Sequence, residues 1–331
     1  MFGCTQPSSN STPSPSSSPS SSPATSSKKL TIAMIPKGTT HEFWKTVHAG
    51  ALKAARELST PGNEIEVIWK GPLREDDREQ QIQVVEGFVS QRVNGIVLAP
   101  LDNRAMVRPI EEAKQAGIPT VIFDSGLESE NIVSFVATDN LKGGMLAADR
   151  LGEVLGGKGR VLMLRYAEGS ASTLEREAGF LEQIKAKHPG IEVISSDQRS
   201  GPTRDTAKSA SENLLNRHGN DLQGIFTVNE NSTAGMLLAL QDIEKAGKIS
   251  LVGFDSSQPF IEGLRSGQMQ GFVVQNPFRM GYLAIKTMVD HLQGKPVERR
   301  VDTGVAMITP DNLDSPESKE LLNPPVNEYL K

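Results

Sequence analysis

A set of polar and aromatic residues lies just beyond the ends of short apolar segments that have the length and composition of β-strands. Its members are Lys37, His41, Phe43, Trp44, Asp124, Ser125, Arg176, Asn229, Glu230, Asp255, Gln275 and Asn276. Carboxylate and amide groups can engage two neighbouring hydroxyls, an arginine fork can engage hydroxyls or a ring oxygen, and an aromatic face can cover the C–H side of a sugar. The set therefore indicates a site for a polyhydroxylated molecule, although each residue alone also fits a role as a helix cap, a core ring or a surface charge.

Catalysis is not favoured by these residues, because no pair among them places a nucleophile beside a base. Residues 152–158 approach a phosphate-binding loop, but Gly159 stands where Ser or Thr is needed, and the run leads from a helix into a strand. His41-Glu42 begins like a zinc-protease motif, yet the next histidine, His48, comes seven residues later instead of four. We therefore expect a protein that is not an enzyme and that has no cofactor and no metal.

The elements that position this set alternate regularly from residue 29 onward. Strands are predicted at 30–35, 64–69, 95–98, 120–123, 132–137, 160–164, 192–195, 224–228, 250–253 and 271–274, and helices at 41–58, 76–91, 103–116, 141–155, 173–187, 204–216, 232–246, 259–266 and 279–293. Alternation of this kind predicts parallel sheets, and unbroken Val/Ile/Leu runs indicate sheets covered on both faces. Because the pattern starts again near residue 160, we expect an α/β protein with two Rossmann-like lobes and a ligand cleft between them, where open parallel sheets bind ligands.

The N-terminal residues indicate export. Cys4 is the only cysteine, and residues 5–27 contain 12 Ser, 3 Thr and 5 Pro with no charge before Lys28. The residues that lead up to Cys4 resemble the end of a bacterial lipoprotein signal. Residues 1–28 are predicted to be a disordered tether, because they lack the apolar residues that would offset the entropy of ordering. We expect lipid attachment at Cys4 and a lipid-anchored location in the periplasm or at the cell surface.

Length and charge limit the possible functions further. The chain of 331 residues leaves about two domains of roughly 150 residues each after the tether. Its formal net charge of −5, with no basic stripe, helix-turn-helix or zinc-finger spacing, argues against nucleic acid as a partner. No apolar run after Cys4 is long enough to predict a membrane-spanning helix.

Several segments carry a resemblance to a known family. They are 31–44, 95–100, 117–124, 137–140, 169–170, 175–180, 252–255 and 273–277. In this order they resemble the periplasmic sugar-binding proteins of the ribose/galactose type, which serve ABC importers, and the resemblance runs from about residue 29 to residue 322. It implies the type I periplasmic binding fold.

The resemblance implies that one sugar site is shared by both lobes. Its expected members are the aromatic wall Phe43 and Trp44, the hydroxyl-binding Asp124 and Arg176 from opposite lobes, the completing residues Asn229, Asp255 and Gln275, and Lys37 and His41 at the edge. Alanine at Asp255 or at Arg176 is expected to abolish stabilisation by the ligand while leaving the melting of the sugar-free protein nearly unchanged.

The chain also departs from the family at the site. Ribose binders of the family carry Arg where this chain has Ser125, and they carry an aromatic residue near the position of Pro202. We expect Tyr166 to take the place of that aromatic residue. Lys37 and Arg165 add positive charge near the expected cleft, which points to an acidic sugar or a polyol instead of ribose itself.

The resemblance further implies three crossings between the lobes, near 138–140, 275–277 and 302–304. The N-terminal lobe is expected to hold residues 30–138 and 276–303, and the C-terminal lobe residues 139–275 and 304–331. Hinge positions are expected at Thr138, Asp139 and Asn276.

The expected mechanism is closure of this hinge around one sugar or polyol, followed by docking of the closed form on ABC permease subunits. We expect a monomer. The sequence is compatible with three alternatives. The protein could present a sugar or signal molecule to a sensor protein, act as a cytosolic regulator with similar effector lobes, or be an enzyme for which no catalytic constellation is visible.

Overall fold

The structure is a computed structural model that describes residues 1–3 and 28–330 of the chain. The expected lipidation site Cys4 and nearly all of the expected tether lie outside the described residues. The strands within them are β1 Lys28–Ile35, β2 Asn63–Trp69, β3 Gly95–Leu98, β4 Thr120–Phe123, β5 Ser134–Ala137, β6 Lys158–Leu164, β7 Gly190–Ser195, β8 Gly224–Thr227, β9 Ser250–Phe254, β10 Gly271–Gln275, β11 Arg300–Asp302 and β12 Val305–Ile308. The α-helices are α1 Glu42–Leu58, α2 Arg78–Ser90, α3 Val107–Gln115, α4 Asn140–Val154, α5 Ala171–Lys187, α6 Arg204–His218, α7 Glu230–Asp242, α8 Gln258–Arg265, α9 Pro277–Leu292 and α10 Pro316–Leu322, and a 3₁₀ turn spans Val326–Glu328.

Every predicted strand and helix overlaps an observed element, and the differences have local causes. The third helix was expected from residue 103, but Asp102 Oδ1 accepts the backbone N–H groups of Arg104 and Ala105, both at 2.9 Å. These bonds hold a turn that delays the helix to Val107. Strands β11 and β12 were not predicted. Strand β11 gives little signal in the sequence, because it is a three-residue edge strand with two charged residues.

The strands form two six-stranded sheets with the same order. The first sheet runs β11-β5-β4-β3-β1-β2 and the second β12-β10-β9-β8-β6-β7. Neighbouring strands are parallel except for β10 and β12, which are antiparallel. We call the first sheet with α1, α2, α3 and α9 the N-terminal lobe, and the second sheet with α4 to α8 the C-terminal lobe. The prediction of two α/β lobes of repeated winding is confirmed, with one antiparallel pair as the exception.

Both faces of each sheet are covered by helices, as the sequence predicts. In β1, Ile32 and Met34 pack in one core with α1 and α9, whereas Ala33 and Ile35 pack in the other core with α2 and α3. Because successive side chains of a strand point to opposite faces, an unbroken apolar strand fits only such a doubly covered sheet.

Two helix pairs approach each other closely through glycine. A Cβ at Gly50 of α1 would lie 1.9 Å from the Phe278 carbonyl oxygen, and a Cβ at Gly281 of α9 would lie 1.9 Å from that of Val47. In the C-terminal lobe, Gly144 of α4 and Gly179 of α5 meet in the same way. These contacts hold α1 against α9 and α5 against α4. Helices α1 and α5 carry expected residues of the site, and α4 and α9 begin where the chain passes from one lobe to the other.

Within the described residues the chain passes between the sheets three times, at 138–139, at 276 and at 303–304. A fourth connection follows β12. Leu321 and Leu322 of α10 pack on the core of the C-terminal lobe. The chain then returns to the N-terminal lobe, where the Tyr329 ring lies 5.8 Å from the Phe278 ring centre and 4.9 Å from the Arg56 guanidinium carbon. Among the described helices, none combines the length and the apolarity that crossing a bilayer requires.

Candidate functional site

A cavity lies between the lobes at the carboxyl ends of both sheets. Its empty space, including the opening to solvent, is about 380 Å³. The lining residues are Lys37, His41, Phe43, Trp44, Glu75, Asp124, Tyr166, Ser170, Ser172, Thr173, Arg176, Asn229, Glu230, Asp255 and Gln275. Ten of the eleven ligand-binding residues expected from the sequence are in this set, and Ser125 is not.

Asp124 and Asp255 follow equivalent strands, β4 and β9. Burial raises the pKa of Asp255, while the charge of Arg176 and a hydrogen bond from Gln275 act in the opposite direction. The Gln275 amide donates to Asp255 Oδ1 at 2.7 Å, and the Glu230 backbone N–H donates to Oδ2 at 3.1 Å. Both contacts orient the carboxylate at the cavity wall, where it can accept hydrogen bonds from a ligand.

Arg176 is buried in α5 and is held on three sides. Its Nε donates to Asn140 Oδ1 at 2.9 Å, and its Nη1 donates to the Val228 carbonyl at 3.0 Å. The guanidinium carbon lies 3.8 Å from the centre of the Phe254 ring. Burial lowers the pKa of Arg176, and the nearby Asp255 and Asp124 oppose this. The guanidinium is therefore fixed in one plane with an edge toward the cavity, an arrangement suited to hydroxyl recognition.

The positive charges that pointed to an acidic ligand have protein partners. Lys37 Nζ lies 3.2 Å from Asp124 Oδ2 and donates to the hydroxyls of Ser170 and Ser172. Arg165 does not line the cavity, and its Nε donates to the buried Glu177 carboxylate at 2.7 Å. Arg165 therefore adds no charge at the cavity, whereas Lys37 lines it beside its partner Asp124.

Phe43 and Trp44, at the start of α1, form an aromatic wall. Their rings meet edge to face with centres 4.9 Å apart, and Trp44 also contacts Phe123. Tyr166 lines the opposite side of the cavity from the C-terminal lobe. Its ring is buried, and its hydroxyl donates to Glu75 Oε2 at 2.6 Å, so the phenol is directed toward the N-terminal lobe.

Glu75 is the main residue that the sequence did not indicate. It lies in the loop between β2 and α2, within a charged stretch whose neighbours Arg74 and Asp76 are exposed. Trp44 Nε1 donates to its Oε1 at 2.6 Å, and His41 Nδ1 lies 3.2 Å from the same oxygen. Burial acts to raise the pKa of Glu75, but the hydrogen bonds with His41 and Tyr166 and the charges of His41 and Lys37 outweigh it and lower the pKa to about 2.

Several expected site or hinge residues also cap helices. Asn229 caps α7 by accepting the Ser232 N–H, Asp139 caps α4, and Asn276 caps α9. The Thr138 hydroxyl contacts that of Thr303, which joins two of the interlobe segments. These side chains therefore serve the local structure whatever their role toward a ligand.

Ser125 is buried and does not line the cavity, but its side chain joins the two lobes. Its hydroxyl accepts the backbone N–H of Ser172, at the start of α5, at 3.1 Å.

No cluster of His, Cys, Asp and Glu within residues 1–3 and 28–330 is arranged to hold a metal ion.

Comparison with known proteins places the chain in a family. The sequence model of the periplasmic binding protein domain matches residues 32–296. The ribose import binding protein RbsB of Haemophilus influenzae is 28% identical over 279 residues, which cover 84% of this chain and 91% of that protein.

Solved structures agree with the sequence comparison. A carbohydrate transporter solute binding protein from Agrobacterium radiobacter, in complex with D-arabinose, has a TM-score of 0.83 and 33% identity, covering 89% of this chain and 99% of the other. An ABC transporter solute binding protein from Agrobacterium vitis with bound D-fucose has a TM-score of 0.83 and 33% identity, covering 88% of this chain and 100% of the other. The resemblance drawn from the sequence is thereby confirmed, and the chain belongs to the periplasmic binding protein family, with its type I fold.

Proposed function

We propose that the protein captures a monosaccharide or a related polyol between its lobes and delivers it to an ABC permease. The main support is the convergence of carboxylate, amide and guanidinium groups from both lobes on one cavity beside Phe43 and Trp44. Such groups recognise hydroxyls, and the aromatic faces suit the C–H surface of a sugar. The relatives named above are a ribose importer component and proteins that hold D-arabinose and D-fucose.

The ligand is a neutral sugar or polyol. Two buried acceptor atoms at the cavity, Gln275 Oε1 and Glu230 Oε2, have no hydrogen-bond partner among the described residues. A hydroxyl can donate to each of them, whereas a carboxylate cannot. The Lys37 ammonium, in addition, is engaged by the Asp124 carboxylate.

Binding proceeds by hinge closure. The lobes comprise residues 30–138 with 276–303 and residues 139–275 with 304–322, the segment after α10 returning to the N-terminal lobe instead of staying in the C-terminal lobe as the resemblance implied. The hinge lies at Thr138, Asp139 and Asn276. Because the ligand contacts both lobes only when they are closed, its binding shifts the population toward the closed form. The protein acts as a monomer in the periplasm or at the cell surface, held to the membrane by lipid on Cys4, and the bound sugar is released unchanged.

A thermal-shift screen followed by calorimetry tests the ligand class. Neutral pentoses, hexoses and polyols are compared with sugar acids, and Asp255→Asn serves as the binding-deficient control. We expect a neutral member of the panel to raise the Tm of the wild type and not that of the variant. Stabilisation by acids alone, or by no member of the panel, contradicts the proposal. Co-purification with permease subunits from native membranes tests delivery.

A further inference from the structure

Glu75 is a buried carboxylate whose neighbours in the loop, Arg74 and Asp76, are exposed. Two hydroxyls fasten this loop to the one after β1: Thr39 donates to the Pro72 carbonyl at 3.2 Å, and Thr40 to the Leu73 carbonyl at 3.3 Å. Gly38 leaves room for the side chain, since a Cβ there would lie 3.0 Å from Glu75 Cγ. An ionised carboxylate is unfavourable in a buried place unless it is hydrogen-bonded, so the contacts of Glu75 show what holds it there.

Three ring side chains meet this one carboxylate. The indole N–H of Trp44 donates to Oε1, His41 Nδ1 lies 3.2 Å from Oε1, and the Tyr166 hydroxyl donates to Oε2. Trp44 and His41 belong to the N-terminal lobe, like Glu75, but Tyr166 belongs to the C-terminal lobe. The carboxylate therefore connects the aromatic wall of the cavity to the opposite side of the cleft.

The contact with Tyr166 joins two groups that are each fixed within their own lobe. The Tyr166 ring packs in the C-terminal core with Met163 and Phe226. Glu75 is held by its loop and by Trp44. Because neither group can follow the other, rotation of the lobes away from each other breaks the 2.6 Å hydrogen bond and leaves the carboxylate without its phenol donor.

From these contacts we propose that Glu75 is a positioning residue of the sugar site, which orients the Trp44 and His41 rings and ties the closed lobes together through Tyr166. This inference rests on the proposed function for its effect on sugar affinity. The Glu75–Tyr166 hydrogen bond, which we call the tie, is a contact between protein groups, so it favours closure with or without a sugar. It should slow release of the sugar more than it speeds capture, since the bond exists only after closure.

The test compares Glu75→Gln, Tyr166→Phe and the double variant with wild type. Asp76→Asn is the matched control, because it neutralises the adjacent exposed carboxylate of the same loop. Glu75→Gln keeps the shape but removes the charge. When its Oε1 accepts the indole N–H, its amide can meet the Tyr166 hydroxyl only by donating to it, so the charge-assisted hydrogen bond from the phenol to the carboxylate is lost. We expect about tenfold weaker sugar binding in Tyr166→Phe, mainly through faster dissociation, and at least that loss in Glu75→Gln. The double variant should bind about as well as Glu75→Gln alone, because both changes break one contact.

Each other outcome counts against the proposal. Additive losses in the double variant would mean that the two residues act separately. A large loss in Glu75→Gln with wild-type affinity in Tyr166→Phe would make Glu75 a direct sugar ligand and not a tie. A lower Tm with unchanged dissociation rates would reduce Glu75 to a fold element.

A measurement without sugar separates this inference from the proposed function. Small-angle scattering of the sugar-free proteins should show a larger radius of gyration for Glu75→Gln and Tyr166→Phe than for wild type and Asp76→Asn. If no sugar binds to the wild type but this difference is present, the proposed function fails and the tie stands. If sugar binds and all four proteins scatter alike, the tie is wrong and the function stands.

Discussion

Asp124 and Asp255 occupy the same place in the two lobes and share an unusual backbone conformation. Their φ angles are 61° and 67°, in the left-handed region, and both residues follow the fourth strand in the winding of their sheet. Each donates its backbone N–H to the next strand, Asp124 to the Val136 carbonyl at 3.1 Å and Asp255 to that of Val273 at 2.7 Å. Asp and Asn tolerate this conformation better than other residues with a Cβ. The repeated winding thus presents one carboxylate from each lobe to the cavity.

The first prediction concerns Asp255. Alanine at this position should lower the free energy of unfolding by about 1 kcal/mol relative to asparagine, because asparagine adopts the left-handed conformation more readily. Both variants should lose sugar-induced stabilisation, since both lose the charged acceptor. Calorimetric melting with and without sugar measures the two effects separately. Equal apo stability of Asp255→Ala and Asp255→Asn would show that the backbone conformation is not strained for alanine.

The second prediction concerns Arg176, for which the structure revises the expectation of unchanged melting. Removing the guanidinium in Arg176→Ala leaves Asn140 and the Val228 carbonyl without their donor and opens space against Phe254. The free energy of unfolding should fall by roughly 3 kcal/mol in urea titrations. Arg108→Ala, at an exposed arginine of α3, should change it by no more than about 0.5 kcal/mol. A loss of similar size in both variants would contradict the structural role of Arg176.

The third prediction concerns the close contact of α1 and α9. Gly281→Ala would place a Cβ 1.9 Å from the Val47 carbonyl oxygen, so the helices must move apart, at a cost of about 2 kcal/mol. Gly87 of α2 is a matched control, because a Cβ there meets no atom within 4 Å. Gly87→Ala should stabilise the protein by about 0.5–1 kcal/mol through the helix preference of alanine. Chemical denaturation at pH 7 compares the two, and a stabilising Gly281→Ala would refute the contact.

The fourth prediction is a pH dependence that arises from His48. The imidazole stacks on Trp69 with ring centres 4.5 Å apart, and burial lowers its pKa from 6.5 to about 4. Because the folded pKa lies below the unfolded one, the unfolded chain binds the proton more tightly. This contribution to stability is complete above pH 6.5 and is lost as the pH falls toward 4.

Urea titrations at pH 7 and pH 5 measure this effect. The wild type should lose about 1–2 kcal/mol more than His48→Gln over this interval, since the variant lacks the titrating ring. The difference between the two proteins removes the contribution of the other titrating groups. The same pH dependence in both would exclude His48 as its source.

The sequence predicted the fold because its strands are unbroken apolar runs and its helices fill the spaces between them. It also indicated Asp124, Arg176 and Asp255, because residues after parallel strands converge where two sheets face each other. Glu75 could not be found in this way. It lies between charged neighbours in a loop, and its burial depends on the approach of His41, Trp44 and Tyr166, which are distant in the sequence.

The partners of the charged residues could not be predicted from the sequence either. Lys37 and Arg165 look like free cations in the chain, but their partners Asp124 and Glu177 belong to other elements, Asp124 following β4 and Glu177 lying in α5. Ser125 and Asn229 illustrate a different limit. Their positions predicted proximity to the site, yet each side chain also accepts a hydrogen bond from a backbone N–H. The sequence position cannot show whether binding a ligand or holding the backbone is the main role.

The return of the chain to the N-terminal lobe after α10 has a practical consequence for fluorescent sensors. Strand β1 begins in that lobe, and the turn Val326–Glu328 packs on α1 of the same lobe. Two dyes attached beside Lys28 and Tyr329 would therefore move as one body, and energy transfer between them would barely change on the closure proposed above. A responsive sensor needs one dye on the C-terminal lobe, for example at an exposed position of α6, and the other near Tyr329.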